Sequence, residues 1–266
     1  MSTWSDLTQV VKESPNCSSR LLRKVGRITV HHTAGIASAQ GLLDQFAKLS
    51  RGASANYCIG NDGTIGGCVP EEYRAWTSGS SENDTRAITI EVSNDVNGEP
   101  WSIGKKAWNS AVKLCVDICL RYGFTLWWNP DNKTGSLTCH RWYQATACPG
   151  DWFYERIPKF IEEVNKKVNE ILKRITALET KVKELEAQEK NDAACINTLN
   201  KRVYDLELYA MPKYDSVKES PKWAKPTIEK LVKSECLKGD EEGNLLLTED
   251  LTRTLVIVDR AGGFDK

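Results

Sequence analysis

Histidine occurs only at positions 31, 32 and 140, and a cysteine follows at position 148. Two imidazoles and one thiolate form a normal three-ligand shell for a hydrolytic zinc ion, with the fourth position left to water. His31 and His32 end the β-branched run Arg27–Thr33, so their side chains leave opposite faces of a strand. Thr29, His31 and Thr33 share the polar face, while Ile28, Val30 and His32 share the other. His31 is therefore the ligand candidate, and His32 is expected to be a packed structural residue. Spacing alone leaves a second reading open, in which the histidines lie on the surface and Cys148 is a buried thiol.

A carboxylate suited to proton transfer stands in Ala87–Ser93. Thr89, Glu91 and Ser93 share one face of this run, and Ile88, Ile90 and Val92 the other. Glu91 is the general-base candidate if its face meets the metal, and a solvated edge residue otherwise.

Other elements must position these groups. Ala55–Ile65 reads strand–turn–strand around Asn61-Asp62-Gly63, a strong hairpin signal. Lys105–Tyr122 carries Trp108, Ala111, Val112, Cys115, Ile118, Cys119 and Tyr122 at helical spacing. A helical stretch through Leu43, Phe46 and Leu49 follows the histidine strand. Strands and helices alternating in this way predict an α/β domain with a central mixed sheet flanked by helices.

Val30-His31-His32-Thr33-Ala34-Gly35 resembles the first-ligand strand of the type 2 amidases, a superfamily that includes peptidoglycan recognition proteins and phage and bacterial N-acetylmuramoyl-L-alanine amidases. Asn56-Tyr57-Cys58-Ile59 with Asp62-Gly63-Thr64-Ile65 is similar to the family's tyrosine strand and Asp-Gly hairpin. His140-Arg141 and Thr146-Ala147-Cys148-Pro149-Gly150 resemble its second and third ligands in order and spacing. The resemblance implies one zinc per chain on His31, His140 and Cys148, and hydrolysis of the amide between the lactyl group of N-acetylmuramic acid and L-alanine of the stem peptide. It assigns Tyr57 to orienting water or the oxyanion. Thr146 maps to a position where family members carry lysine or threonine, and a threonine there brings a donor without charge. Glu91 maps to the glutamate that the bacterial amidases carry in a similar strand. Trp76, Asn83, Trp142 and Tyr143 flank these blocks and are candidates for lining the substrate groove, with simple core packing as the alternative.

Lys+Arg and Asp+Glu balance at 36 each, so no bulk charge draws the chain to nucleic acid or to an anionic membrane. No apolar run is long enough to span a bilayer. The first twenty residues lack the basic flank and apolar core of a signal peptide, which implies synthesis in the bacterial cytoplasm and action at the wall after release. The nine cysteines show no paired spacing and read as reduced, buried thiols, with a Cys58–Cys68 bridge as the alternative.

From Ile161 a seven-residue repeat sets in, bracketed by Pro158 and Pro212. Its first positions are Ile161, Val168, Ile175, Val182, Glu189, Ile196, Val203 and Ala210; its fourth are Val164, Ile171, Leu178, Leu185, Asp192, Leu199 and Leu206. A stripe this narrow predicts a coiled coil between chains, with an amphipathic helix packed on the first domain as the alternative. Arg174–Glu179 and Arg202–Glu207 resemble the Arg–Glu pattern of three-stranded coils, which favours a trimer over a dimer. The last stretch carries Trp223-Ala224, Ile228–Leu231, Gly239 and Leu251-Thr252-Arg253, and resembles a single S-layer homology repeat. That resemblance implies binding of a secondary cell-wall polymer, with Trp223 and Arg253 as contact candidates. Residue 254 is threonine and 255 leucine where the repeat usually has alanine and glutamate. Three regions are thus expected: a catalytic domain over 1–160, a coiled coil over 161–211 and a wall-targeting domain over 212–266. The leading function is a phage or prophage endolysin that lyses the wall. The alternatives are a non-catalytic peptidoglycan-binding module and a structural component of a phage tail.

Overall fold

The computed structural model describes residues 4–265 apart from 22 and 211–213, with backbone alone at 208–210. Pro212, expected to end the heptads, and the side chain of Ala210 lie outside the described residues. The chain divides into two compact units, Met1–Leu178 and Glu179–Lys266.

The first unit opens with strands β1 (Val10–Val11), β2 (Cys17–Ser19) and β3 (Arg27–His32), then helix α1 (Ala39–Phe46). Strands β4 (Tyr57–Ile59), β5 (Ile65–Gly67) and β6 (Tyr73–Ala75) follow, then α2 (Ser81–Arg86), β7 (Ala87–Val92) and α3 (Lys105–Tyr122). Strands β8 (Trp128–Asn129), β9 (Thr134–Gly135) and β10 (Leu137–Cys139) lead to α4 (Asp151–Tyr154) and the long helix α5 (Ile157–Ala210). A six-stranded sheet has the order β1-β5-β4-β7-β3-β10, with β4 and β5 antiparallel and every other neighbouring pair parallel. This is the mixed sheet expected.

The hairpin forms where the sequence places it. Asp62 Oδ1 accepts from the Thr64 backbone N–H at 3.0 Å, and Gly63 turns the chain at φ 88°. A Cβ at Gly63 would lie 3.0 Å from the Lys106 carbonyl, so glycine both takes the left-handed turn and lets α3 approach.

Strand alternation divides the sheet chemically. Ile28 and Val30 of β3, Ile88, Ile90 and Val92 of β7, and Tyr57 and Ile59 of β4 fall in one buried cluster. With them are Ala111, Leu114 and Ile118 of α3. Each fully buried aliphatic side chain contributes about 1.5–3 kcal/mol. The opposite face carries Leu42, Leu43 and Phe46 of α1 over Cys58 and Cys68, and beside them the polar residues that form the site.

The heptad reading needs one correction. Val164 and Val168 are fully or almost fully buried in the first unit's core, and Ile161 and Ile171 pack against it. These opening residues of the repeat meet α3's cluster within the chain and are not free for another helix. The first unit accordingly extends to Leu178 and does not stop at 160. Beyond Ile171 the stripe is bare: Leu178 is 64% exposed, Leu199 50% and Leu206 67%.

The second unit contains α6 (Lys225–Lys233) and α7 (Glu249–Arg260). They enclose a small core of Ala224, Ile228, Leu247 and Val256, and Thr248 caps α7 by accepting from the Leu251 N–H.

Candidate active site

Register brings the sequence-predicted ligands together. Strand β3 pairs with β7 so that His31 is level with Glu91, and with β10 so that Val30 is level with Cys139. His140, the next residue, begins the 3-10 turn His140–Trp142 and lies beside His31, with ring centroids 4.9 Å apart. The loop that follows returns Cys148 to the same point. Arg141 holds that loop: its guanidinium donates to the Ala147 and Cys148 carbonyls and pairs with Asp151 at 2.8 Å. The Thr146 hydroxyl accepts from the Cys148 N–H at 3.2 Å. Cys148 Sγ ends 3.4 Å from His31 Nδ1.

One ligand atom from each of His31, His140 and Cys148 lies within 4.8 Å of the others. A tetrahedral zinc with bonds of about 2.0–2.1 Å to nitrogen and about 2.3 Å to sulfur sets neighbouring ligand atoms roughly 3.5 Å apart, so the Nδ1–Sγ edge already has the required length. The donors' surroundings fit a cation as well. His31 is 2% exposed, and its Nδ1 faces the Cys148 sulfur. Burial, then the neighbouring His140 and His32, push its pKa well below the ordinary value, which keeps the imidazole neutral as a ligand must be. His140 Nε2 lies 2.9 Å from Gln144 Oε1, which accepts its proton and leaves Nδ1 as the lone pair. Burial raises the Cys148 thiol's pKa, so a cation is needed to draw out the thiolate.

Glu91 lines the same groove, a space of about 590 Å³. Burial pushes its pKa up to about 8, against the opposing pull of the Arg51 charge. Trp76 stands on the rim, 37% exposed, with its indole N–H donated to Ser18 Oγ. His32 packs edge-on against Trp101 on the other face of β3, as alternation requires, though its position at the strand end also borders the groove.

Several expected site residues lie elsewhere. Tyr57 is fully buried on the α3 face, because β4 pairs with β7 so that Cys58, and not Tyr57, is level with Glu91. Its hydroxyl donates to Glu71 and accepts from the Ser5 N–H at 2.7 Å. Glu71 also takes both terminal nitrogens of Arg121 and the Tyr122 hydroxyl. Tyr57 is thus part of a buried polar network and does not orient water. Tyr57→Phe is expected to lower stability by about 1–2 kcal/mol in denaturant unfolding and to leave kcat unchanged.

Asn83 is 1% exposed and ties Thr29, Ser78, Thr138 and Tyr143 together beneath the site, out of reach of substrate. Trp142 is 8% exposed and stacks on Trp128 at 5.8 Å, so it is a core residue. Thr146 is exposed but does not line the groove; what it touches is the ligand loop. In the second unit Trp223 is 43% exposed, and Arg253 donates to Glu249 at 3.3 Å within its own helix. The groove is also lined by Arg51, Arg74 and Gln144, which the motifs did not single out. All nine cysteines are free, including Cys58 and Cys68. Among the described residues, no helix is long and apolar enough to cross a membrane.

Residues 21–151 match the family described as N-acetylmuramoyl-L-alanine amidase. Among solved structures, an N-acetylmuramoyl-L-alanine amidase, LysC from Clostridium intestinale URNW, is 22% identical. The alignment covers 61% of this chain and 99% of that one, with a TM-score of 0.44. The structure of PlyL is 21% identical over 58% of this chain and 95% of its own, with a TM-score of 0.46. A mutant endolysin from Bacillus subtilis is 16% identical over 59% and 99%, with a TM-score of 0.44. No curated protein sequence matches the chain.

Proposed function

Residues 21–151 belong to the N-acetylmuramoyl-L-alanine amidase family, and from that premise we propose that this enzyme is a zinc-dependent endolysin of a phage or prophage, cutting the lactyl–L-alanine amide of peptidoglycan. The observation that carries the metal dependence is the cluster of His31, His140 and Cys148 at the end of the histidine strand. The same cluster favours an enzyme over a binding module, because a module needs no buried thiol 3.4 Å from a neutral imidazole.

His31, His140 and Cys148 would hold the ion, with Gln144 fixing the His140 tautomer and Arg141 fixing the cysteine loop. Zinc there supplies Lewis acidity, which polarises the scissile carbonyl and makes water a competent nucleophile near neutral pH. Glu91, level with His31, accepts the proton of the attacking water and returns it to the departing L-alanine nitrogen. Water thereby adds across the amide, giving the lactyl carboxylate and a free amine. Trp76 on the rim offers an aromatic face to sugar or peptide. Mass spectrometry of muropeptides after digestion of purified walls tests this reading: new L-alanine amino termini support it, and glycan or cross-bridge cleavage in their place refutes it.

The bare stripe of α5 from Ile175 to Leu206 supports assembly through a coiled coil, a trimer before a dimer. Each chain then contributes one tail unit toward a secondary wall polymer, with Trp223 and Arg253 as its contacts. The double substitution Leu178→Asp and Leu199→Asp buries charges in that seam. It is expected to yield monomers in light scattering while cleavage of a soluble muropeptide stays within about 2-fold of wild type. An unchanged mass removes the coiled coil from the account.

A further inference from the structure

The groove holds positive charge beyond what the metal ligands carry. Arg51 closes the 3-10 turn Leu49–Arg51 and Arg74 lies in β6, and both line the groove with His31, Glu91 and Cys148. The Arg51 guanidinium stands 5.8 Å from the Phe46 ring centroid, and Arg74 donates one bond, 2.8 Å to Ser18 Oγ. Arg121 and Arg141 are ion-paired with Glu71, Asp117 and Asp151. Among the described residues Arg51 and Arg74 have no such partner.

Neither acid of the groove, Asp84 or Glu91, forms an ion pair with Arg51 or Arg74 among the described residues. Asp84 is 2% exposed, and its two oxygens are occupied by the backbone N–H groups of Thr77 and Ser78, the Ser78 hydroxyl and the Asn83 amide. Glu91 feels the Arg51 charge without a direct bond to it, and it is level with His31 at the reacting end of the groove. Two guanidinium forks with most of their N–H groups free are left facing the space a peptide would fill. A planar fork of this kind matches a carboxylate in charge and geometry.

We infer that Arg51 and Arg74 receive a carboxylate of the stem peptide, so that this enzyme selects stems bearing a free acid over their amidated counterparts. The inference rests on the amidase reading. Stem peptides contain acidic residues whose carboxyl groups are either free or carried as primary amides. The amide presents one acceptor and an NH2 donor where the acid presents two charged acceptors, so it meets the guanidinium forks with a donor against donors and no charge.

The test uses the full-length, zinc-loaded enzyme and two synthetic N-acetylmuramoyl peptides that differ only in a free carboxyl or a primary amide on the residue after L-alanine. Wild type is expected to cleave the acid with a kcat/KM about 10–100-fold higher, mainly through KM. Arg51→Gln and Arg74→Gln are each expected to shrink that ratio, the pair together to abolish it, and Arg51→Lys to retain part of it. Zinc content and melting temperature check that the variants fold. Equal wild-type cleavage of the two substrates overturns the inference, as does a preference that survives the double substitution. So does a defect of the variants confined to walls bearing phosphate polymers, which would assign the anion to phosphate. In each of these outcomes, continued cleavage of the small substrates leaves the amidase reading standing. Failure of wild type to cleave either substrate removes that reading itself.

Discussion

His140→Ala is expected to release the metal and to lower amide hydrolysis by at least about 10³-fold, or roughly 4 kcal/mol of transition-state stabilisation. His140 is the candidate ligand to test first because its loss does not threaten the fold. It is only partly buried, it sits in a short turn outside the sheet ladder, and its ring Nε2 bonds to a side chain that is itself exposed. His31 is a poorer choice, since it is buried between Glu91 and His140 and its removal would open the sheet's polar face. The expected signature is a folded protein, with an unchanged circular dichroism spectrum, that neither retains zinc after dialysis nor clears a wall suspension. Wall lysis retained by the metal-free variant would refute the assignment.

Glu91→Gln should separate binding from proton transfer. Glutamine keeps the volume and one acceptor but takes no proton, so zinc content should stay at wild type while kcat falls by about 10²–10⁴-fold. The pH profile gives an independent reading. Burial holds Glu91 at about 8 in the metal-free protein, and a dication at the adjoining ligands would bring it down. A general base must be ionised, so wild-type kcat/KM rises as pH increases through the pKa of Glu91 and is lost as pH falls below it. Glu91→Gln should lack that limb. A variant with wild-type turnover would return Glu91 to the role of a sheet residue.

Much of this was legible from residue patterns because those elements are specified locally. The α3 helix occupies Lys105–Tyr122, as its apolar period requires, and the Asp62-Gly63 turn places Tyr57–Ile59 against Ile65–Gly67. The split of His31 from His32 follows from the two-residue repeat of a strand, and that rule was enough to choose the ligand candidate. Tyr57 shows where local rules end. Alternation states only that Tyr57 and Cys58 face opposite ways. Which of them faces the site is decided by the pairing of β4 with β7, a contact between distant segments. Asn83 and Trp142 neighbour the motif blocks in sequence, yet one binds strand hydroxyls together and the other stacks on Trp128.

Arg51, Arg74 and Gln144 went unnoticed for the converse reason. They come from a turn, an edge strand and a loop, and only the closed fold brings them to one groove. The heptads mislead at their start because the same apolar spacing serves two partners. Val164 and Val168 meet the α3 core, whereas Leu178 and the positions after it meet solvent. Periodicity reports that a face is apolar, not what covers it.

X-ray absorption at the zinc edge of the purified, zinc-loaded enzyme tests the central claim most directly. A single sulfur near 2.3 Å with nitrogen or oxygen neighbours near 2.0–2.1 Å, in a four-coordinate shell that loses its sulfur in Cys148→Ser, is the predicted result. A shell of oxygen and nitrogen alone in the wild-type protein, or one unchanged by that substitution, would contradict it.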